Sequence, residues 1–412
     1  MVGLLVLLAN SSYAQTGDVT ISSSIAWPEG VYQLNSLTVN NGATLTIAGG
    51  STVNVVGTVA LTGNSTILLQ GKNTTGQVND QWLGIGVSVQ AANIQIEVGS
   101  QITADGQGYA AGLGPGGSPD PSNYGIGGSY GGRGSGASAP TYGSYLTPTD
   151  LGSGGGALGG SWSAGGGAIR LIVSATLTNN GIISASGQSG GYAAGGSGGA
   201  IYVTTGTIAG TGTFAANGNY SYGAGGGGGR VAIYYTTNNS FDLASVMANG
   251  GGGGATAGTT YLLENNAHLH VTGNLYFPPD TTRSYANITV SNGARFTLGG
   301  GSSITASNTL AVTENSSIVI QSKNNGGLVG DTWQGIGGTI NAGTVQVDSG
   351  STITADGQGY GTSLGPGGGQ ASTYTGGSYG GRGTNNSAPT YGSYLTPTDL
   401  GSGGGGVGGW SA

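Results

Sequence analysis

The sequence predicts an all-β chain, a parallel β-solenoid (right-handed β-helix) with glycine-rich loop insertions, built from tandem long repeats. Three observations predict it. Short apolar–polar–apolar runs recur between Gly, Asn and Ser residues, which is period-two strand patterning punctuated by turns. The helix formers Glu, Lys, Arg and Met are scarce, and no stretch has helical periodicity. The chain also repeats itself at long range, and repeat architectures grow by stacking units rather than by closing separate cores.

The strand runs come first in the chain. Between Leu37 and Leu69 they are Leu37–Val39, Leu45–Ile47, Val53–Val55, Val59–Leu61 and Ile67–Leu69. Runs this short and this evenly spaced suit the rungs of a parallel stack. A second rhythm follows at 168–187, 200–218 and 231–250. In each segment an apolar strand, a polar turn and a second strand end in Ala-x-Gly. Gly-rich blocks at 188–199, 219–229 and 251–258 separate them. Because Gly permits close backbone approach, these blocks are expected either to stack as a layer of their own or to move freely.

The long repeat is most faithful in a loop. Ser129 to Gly156 returns at Ser378 to Gly405 with three positions changed, whereas the strand-bearing stretch from Gly42 to Leu113 returns at Gly293 to Leu364 far less intact. Loops are ordinarily the variable part of a fold, so this one is singled out. The expected organisation is a leader at 1–14, a first repeat unit at 15–280 and a second, truncated unit at 281–412. Pro278-Pro279-Asp280 marks the junction, as AWPEG around Pro28 opens the first unit. The leader rests on the apolar run Val2–Ala9 followed by Ser12-Tyr13-Ala14, whose small residues suit signal-peptidase cleavage before Gln15. Trp410-Ser411-Ala412 repeats Trp162-Ser163-Ala164, after which the first copy continues GGGAIRLIV. The chain is therefore expected to be a stretch of a longer array.

Composition excludes several functions. Charged residues make up 6% of the chain, against roughly 25% in ordinary soluble domains. A net charge of −7 leaves nothing to neutralise a phosphate backbone, so no nucleic-acid partner is expected. Without Cys there is neither a disulfide framework nor a thiolate metal site. No apolar run is long enough to span a bilayer, and no cofactor motif is found.

Ionisable residues recur between copies: Lys72 with Lys323, Asp80 with Asp331, Glu97 with Asp348, Asp105 with Asp356. Asp105 and Asp356 lie in identical ITADGQGY segments. Asp-Gly favours a structural turn there, calcium binding being the alternative. Trp82 and Trp333 read as plugs over a core. His268 and His270 alternate on one strand face and read as a solvent-facing pair; as metal ligands they would have only Glu264 as a nearby acid.

The candidate binding surface is the repeated loop with its flanks: Tyr130, Arg133, Tyr142, Tyr145, Asp150 and Trp162, and their counterparts Tyr379, Arg382, Tyr391, Tyr394, Asp399 and Trp410. Aromatic faces stack on sugar faces while Arg and Asp bond hydroxyls. The competing expectation is that the Tyr rings pack along the wall and seal the Gly layer, with Arg133 pairing Asp150 at the surface.

The runs LTVNNGATLTIAGGSTVNV and GGAIYVTTGTIAGTGTFAANG resemble rungs of bacterial secreted right-handed β-helix proteins. These include autotransporter passengers, filamentous adhesins and the pectin-lyase-like fold. The resemblance implies an elongated protein displayed at the cell surface, with a carbohydrate or cell-surface ligand or with self-association. That fold also hosts polysaccharide lyases and hydrolases, which cluster carboxylates or use an Arg/Lys base. Here only Asp80, Glu97 and Asp105 are candidates, and a non-enzymatic adhesin is the expected function, ahead of a self-associating filament.

Overall fold

A computed structural model describes residues 17–118, 120, 125–137, 139–157, 163–188, 192–221 and 223–406. The expected leader, Trp162 and Trp410 lie outside the described residues. Among the described residues the chain is nearly all β, with long parallel sheets and a single 3-10 turn at Leu243–Ser245. No helix among them is long and apolar enough to cross a membrane. The chain divides into two compact units, one formed by residues 1–266 with Thr272–Asn274, the other by Ala267–Val271 with residues 275–412.

In the first unit the chain alternates between two sheets. The first is ordered Asp18–Ile21, Ser36–Val39, Thr52–Leu61, Val87–Ile96, Ala168–Asn179, Ala200–Ala209, Arg230–Asn239 and Thr259–Glu264. The second runs Ile25–Trp27, Thr44–Ile47, Thr66–Leu69, Gln101–Thr103, Ile182–Ser184, Thr213–Ala215 and Val246–Met247. Every neighbouring pair in the second sheet is parallel. The chain passes from the first sheet to the second through tight polar turns. At Asn41-Gly42 both residues have positive φ (59° and 69°), a conformation these two residue types tolerate best.

Register turns the period-two pattern into columns. Leu45, Ile67, Ile102, Ile183, Phe214 and Val246 lie opposite one another on successive strands of the second sheet, all buried. Leu37, Val59, Ile94, Leu177 and Ile208 form the matching column in the first. A one-residue slip would move a whole strand's apolar set to the other face, so these columns hold the register. One polar residue that enters a column finds partners there. Asn179, opposite Ile96 and fully buried, donates to the Thr213 carbonyl and accepts from the Gly181 amide.

The glycine blocks pack. Gly152 donates to Gly166, Gly166 to Ser197, Gly198 to Gly227, Gly227 to Gly128 and Gly128 to Gly195, all through backbone groups. The backbones lie so close that a Cβ on Gly198 would fall 2.0 Å from the Ala216 carbonyl oxygen, and one on Gly227 2.1 Å from that of Gly132. Glycine is required here because backbone packs on backbone. Of the two expectations for these blocks, the stacked layer is the one found among the described residues.

The second unit repeats the arrangement. One set of parallel strands runs His268–Val271, Thr282–Val290, Ser303–Val312 and Thr339–Val347, and another runs Leu275–Phe277, Arg295–Leu298, Ser317–Ile320 and Thr352–Thr354. Leu275, Phe296, Ile318 and Ile353 form its column.

Candidate functional site

In the first unit the repeated loop folds back over the first residues of the strands Ala168–Asn179, Ala200–Ala209 and Arg230–Asn239. Tyr130 is fully buried, beneath the ring of Tyr142 (centroids 4.7 Å apart) and against Leu151, Ala168 and Ala200. The Tyr142 hydroxyl donates to the Leu151 carbonyl at 2.6 Å and pairs with Ser153 Oγ at 2.8 Å. Burial pushes both phenols far above their ordinary range, so both stay neutral. A ring with no exposed face cannot stack on a sugar. Tyr130 is therefore a packing residue, which corrects its place in the expected binding surface.

Three residues that the loop sequence does not contain hold it down. Arg230, buried at the start of its strand, donates from Nε to the Tyr142 carbonyl at 2.9 Å and from its guanidinium to Thr259 Oγ1 at 3.1 Å. Its guanidinium carbon stands 5.5 Å from the centre of the Tyr130 ring. Tyr234 donates from its hydroxyl to the Leu146 carbonyl at 2.8 Å. Tyr261 meets Tyr145 edge-on at 6.0 Å. Burial raises the half-buried Asp150 carboxyl and lowers the Arg230 guanidinium, each partly offset by the attraction between them.

Asp150's cationic neighbour is thus Arg230. Arg133 is exposed, and its backbone amide donates to Thr256 Oγ1 at 2.7 Å. Sequence reasoning missed Arg230. The available signal was its register: on successive strands Ala168, Ala200, Arg230 and Thr259 lie opposite one another, and Arg is the odd member.

The second copy keeps the internal geometry. Tyr379 lies under Tyr391 at 5.0 Å, and the Tyr391 hydroxyl donates to the Leu400 carbonyl and pairs with Ser402 Oγ at 2.8 Å. Its outer face differs: Tyr394 is 92% and Leu395 76% exposed, and Arg382 and Asp399 are exposed too. Tyr379, Tyr391, Tyr394 and Pro397 line an open cleft of about 340 Å³.

Beneath each loop the Trp plug takes the same form. Trp82 meets Tyr109 edge-on at 5.1 Å and Trp333 meets Tyr360 at 5.0 Å, both Trp residues being half-buried. The Tyr109 and Tyr360 hydroxyls accept from the Gly84 and Gly335 amides at 2.8 Å.

The three candidate carboxylates serve different elements. Asp80 is exposed in a turn with positive φ. Glu97 is exposed at a strand end, accepting from the Gly63 amide at 3.4 Å. Asp105 is largely buried and accepts from the Ser186 amide at 2.6 Å and Ser184 Oγ at 2.9 Å. Burial raises its carboxyl, and those hydrogen bonds oppose the rise. Both carboxylate oxygens are thus spent on the neighbouring strand Ile182–Ser184 and the turn after it, as a structural turn requires. In the second copy Asp356 is exposed and has in common with Asp105 only the local turn contacts, its amide donating to Thr354 Oγ1 and its carbonyl accepting from Gln358 Nε2. His268 and His270 stack at 3.9 Å on one strand face, and His268 Nε2 pairs with Thr289 Oγ1 at 2.9 Å.

No protein-family model matches the chain, and no curated protein or solved structure matches it either.

Proposed function

We propose that this is a non-enzymatic secreted surface or matrix protein, an adhesin whose units are β-solenoids bearing repeated Tyr/Gly-rich loops. The alternation of the chain between two parallel sheets, strand stacked on strand, supports the solenoid reading. The observation that carries the function is the division of labour within one loop sequence. Its inner tyrosines and glycines brace the wall, while in the second copy Tyr394 and Leu395 stand out in solvent. Tyr374, 83% exposed, adds a second aromatic face in that unit. Exposed tyrosines are suited to weak contacts with sugars or cell-surface groups, and repetition converts weak contacts into avidity.

A self-associating matrix is the second reading. Apolar side chains exposed on the first unit, Val56 at 80% and Val98 at 76%, support it.

One incubation of the protein with insoluble polysaccharides tests the proposal, scoring protein retained and sugar ends released. Retention without release, lost on Tyr394→Ala with Tyr374→Ala while β-sheet circular dichroism persists, is the expected result. Release of ends would replace the adhesin with a polysaccharide-active enzyme. Ligand-free association without retention would favour the matrix reading.

A further inference from the structure

The chain contains two histidines in 412 residues and no cysteine. Both histidines lie on the strand His268–Val271, two positions apart on one face. Every imidazole the protein can offer is therefore in one place, with no thiolate to compete for what it binds. Two residues apart on a strand, Cα atoms are separated by about 6.7 Å, so rings standing straight out from the sheet would not touch. Here the ring centroids are 3.9 Å apart and the rings lie 28° from parallel.

The neighbouring strand gives the lean its cause. Thr282–Val290 pairs in parallel with this strand, placing Asn287 opposite His268 and Thr289 opposite His270. His268 Nε2 reaches diagonally to Thr289 Oγ1 at 2.9 Å, which carries its ring toward His270. On the other face Leu269 and Val271 are fully buried and hold the strand against rotation. The two rings themselves are half-buried, within reach of a small ion.

The bond to Thr289 also selects a tautomer. A proton on Nε2 makes that nitrogen the donor and leaves Nδ1 of His268 with its lone pair. Proteins orient metal-ligating histidines in this way, one ring nitrogen bonded to an oxygen and the other left basic. Ring nitrogens of the two residues lie within 4.8 Å of one another. Two imidazoles on a common ion need their nitrogens about 3 Å apart, each about 2 Å from the metal. A turn of the His270 ring about its Cβ–Cγ bond closes that gap, and this torsion is soft in histidine.

We propose that His268 and His270 form a binding site for one late first-row transition-metal ion, Zn²⁺ or Cu²⁺, with Thr289 as the positioning residue for His268. The imidazoles take two coordination positions and water takes the others. Imidazole nitrogen suits these ions, whereas Ca²⁺ and Mg²⁺ require a shell of oxygens and are not held. The site lies apart from the repeated loops and does not depend on their binding a sugar.

The test titrates Zn²⁺ into the untagged full chain by calorimetry and follows the ring C–H resonances of the two histidines in parallel. One equivalent should bind with a dissociation constant of about 10 µM, weaker than sites with four protein ligands. Both resonances should shift together, and excess Mg²⁺ should not compete. His268→Gln and His270→Gln should each weaken binding about tenfold or more, and Thr289→Val, which removes the hydroxyl but keeps the shape, about tenfold. Circular dichroism should be unchanged in all three. No Zn²⁺ bound at millimolar concentration, a shift of one resonance alone, or binding that survives in the double histidine variant would overturn the site. Full affinity in Thr289→Val would overturn the positioning role.

Discussion

Arg230 reaches across 88 positions of the chain to donate its Nε hydrogen to the carbonyl of Tyr142 at 2.9 Å. That bond joins the loop, which is written twice in the sequence, to a strand far from it in the chain. It makes a loop with the composition of a binding surface into a structural member of the first unit. Tyr234 and Leu146 repeat the same reach one clamp point further along.

Arg230→Ala should therefore destabilise the first unit by about 2–3 kcal/mol, since it removes a buried charged donor and leaves the half-buried Asp150 without its cation. Chemical denaturation at neutral pH measures this. Arg230→Lys should recover little of the loss, because an ammonium has no Nε donor in the plane that meets the Tyr142 carbonyl. Full rescue by lysine would show that charge alone holds the loop.

Tyr234→Phe isolates the second point of the clamp. It deletes one hydrogen bond to a main-chain carbonyl and should cost about 1 kcal/mol. Amide hydrogen exchange around residues 144–147 should speed up while exchange in the column strands stays unchanged. An unchanged loop would mean that Arg230 and the Tyr145–Tyr261 contact suffice to hold it.

The glycine layer makes a positional prediction. Gly198→Ala places a methyl group 2.0 Å from a carbonyl oxygen and should cost about 1–3 kcal/mol or prevent folding. Gly380→Ala, with open space around it, should be close to neutral. Equal effects in a thermal melt would mean that the glycines act through chain entropy rather than close packing.

Asp105 carries a pH dependence. Burial raises its carboxyl in the folded state, so the fold binds this proton more tightly than the unfolded chain does. The associated stability is fully present below the unfolded value of about 4 and is lost as pH rises through the raised folded value. Asp105→Asn stays neutral throughout, so its stability relative to the native protein should increase from acid to neutral pH. Denaturation curves of the two proteins across that range test it, and a gap that does not grow would contradict the burial.

Exposed ion pairs should matter little. Lys72 with Glu29 and Lys323 with Asp280 occupy equivalent places in the two units, both solvent-accessible. Lys72→Ala should cost less than about 1 kcal/mol, and that small loss should disappear in high salt.

Much of the fold was legible because strand patterning is local. The runs Leu37–Val39, Leu45–Ile47 and Ile67–Leu69 fall inside strands, and Val53–Val55 and Val59–Leu61 join in the single strand Thr52–Leu61. The Asn-Gly turns declare themselves through residues that accept positive φ. The outer surface was less legible. Tyr142 and Tyr391 are the same residue in the same local sequence, and nothing within either loop states that one is covered by Arg230 and the other lies open.

The sequence by itself determined the all-β class, the short strands and the doubling of the loop, because alternation, turn chemistry and repetition are written in neighbouring residues. Only the tertiary structure decided that the glycine blocks interlock, that Tyr130 is packing rather than surface, and that Arg230 and Tyr234 hold the first loop. Those contacts join residues far apart in the chain. Their existence depends on which strand lies on which, and on how closely one backbone can approach another where no side chain intervenes.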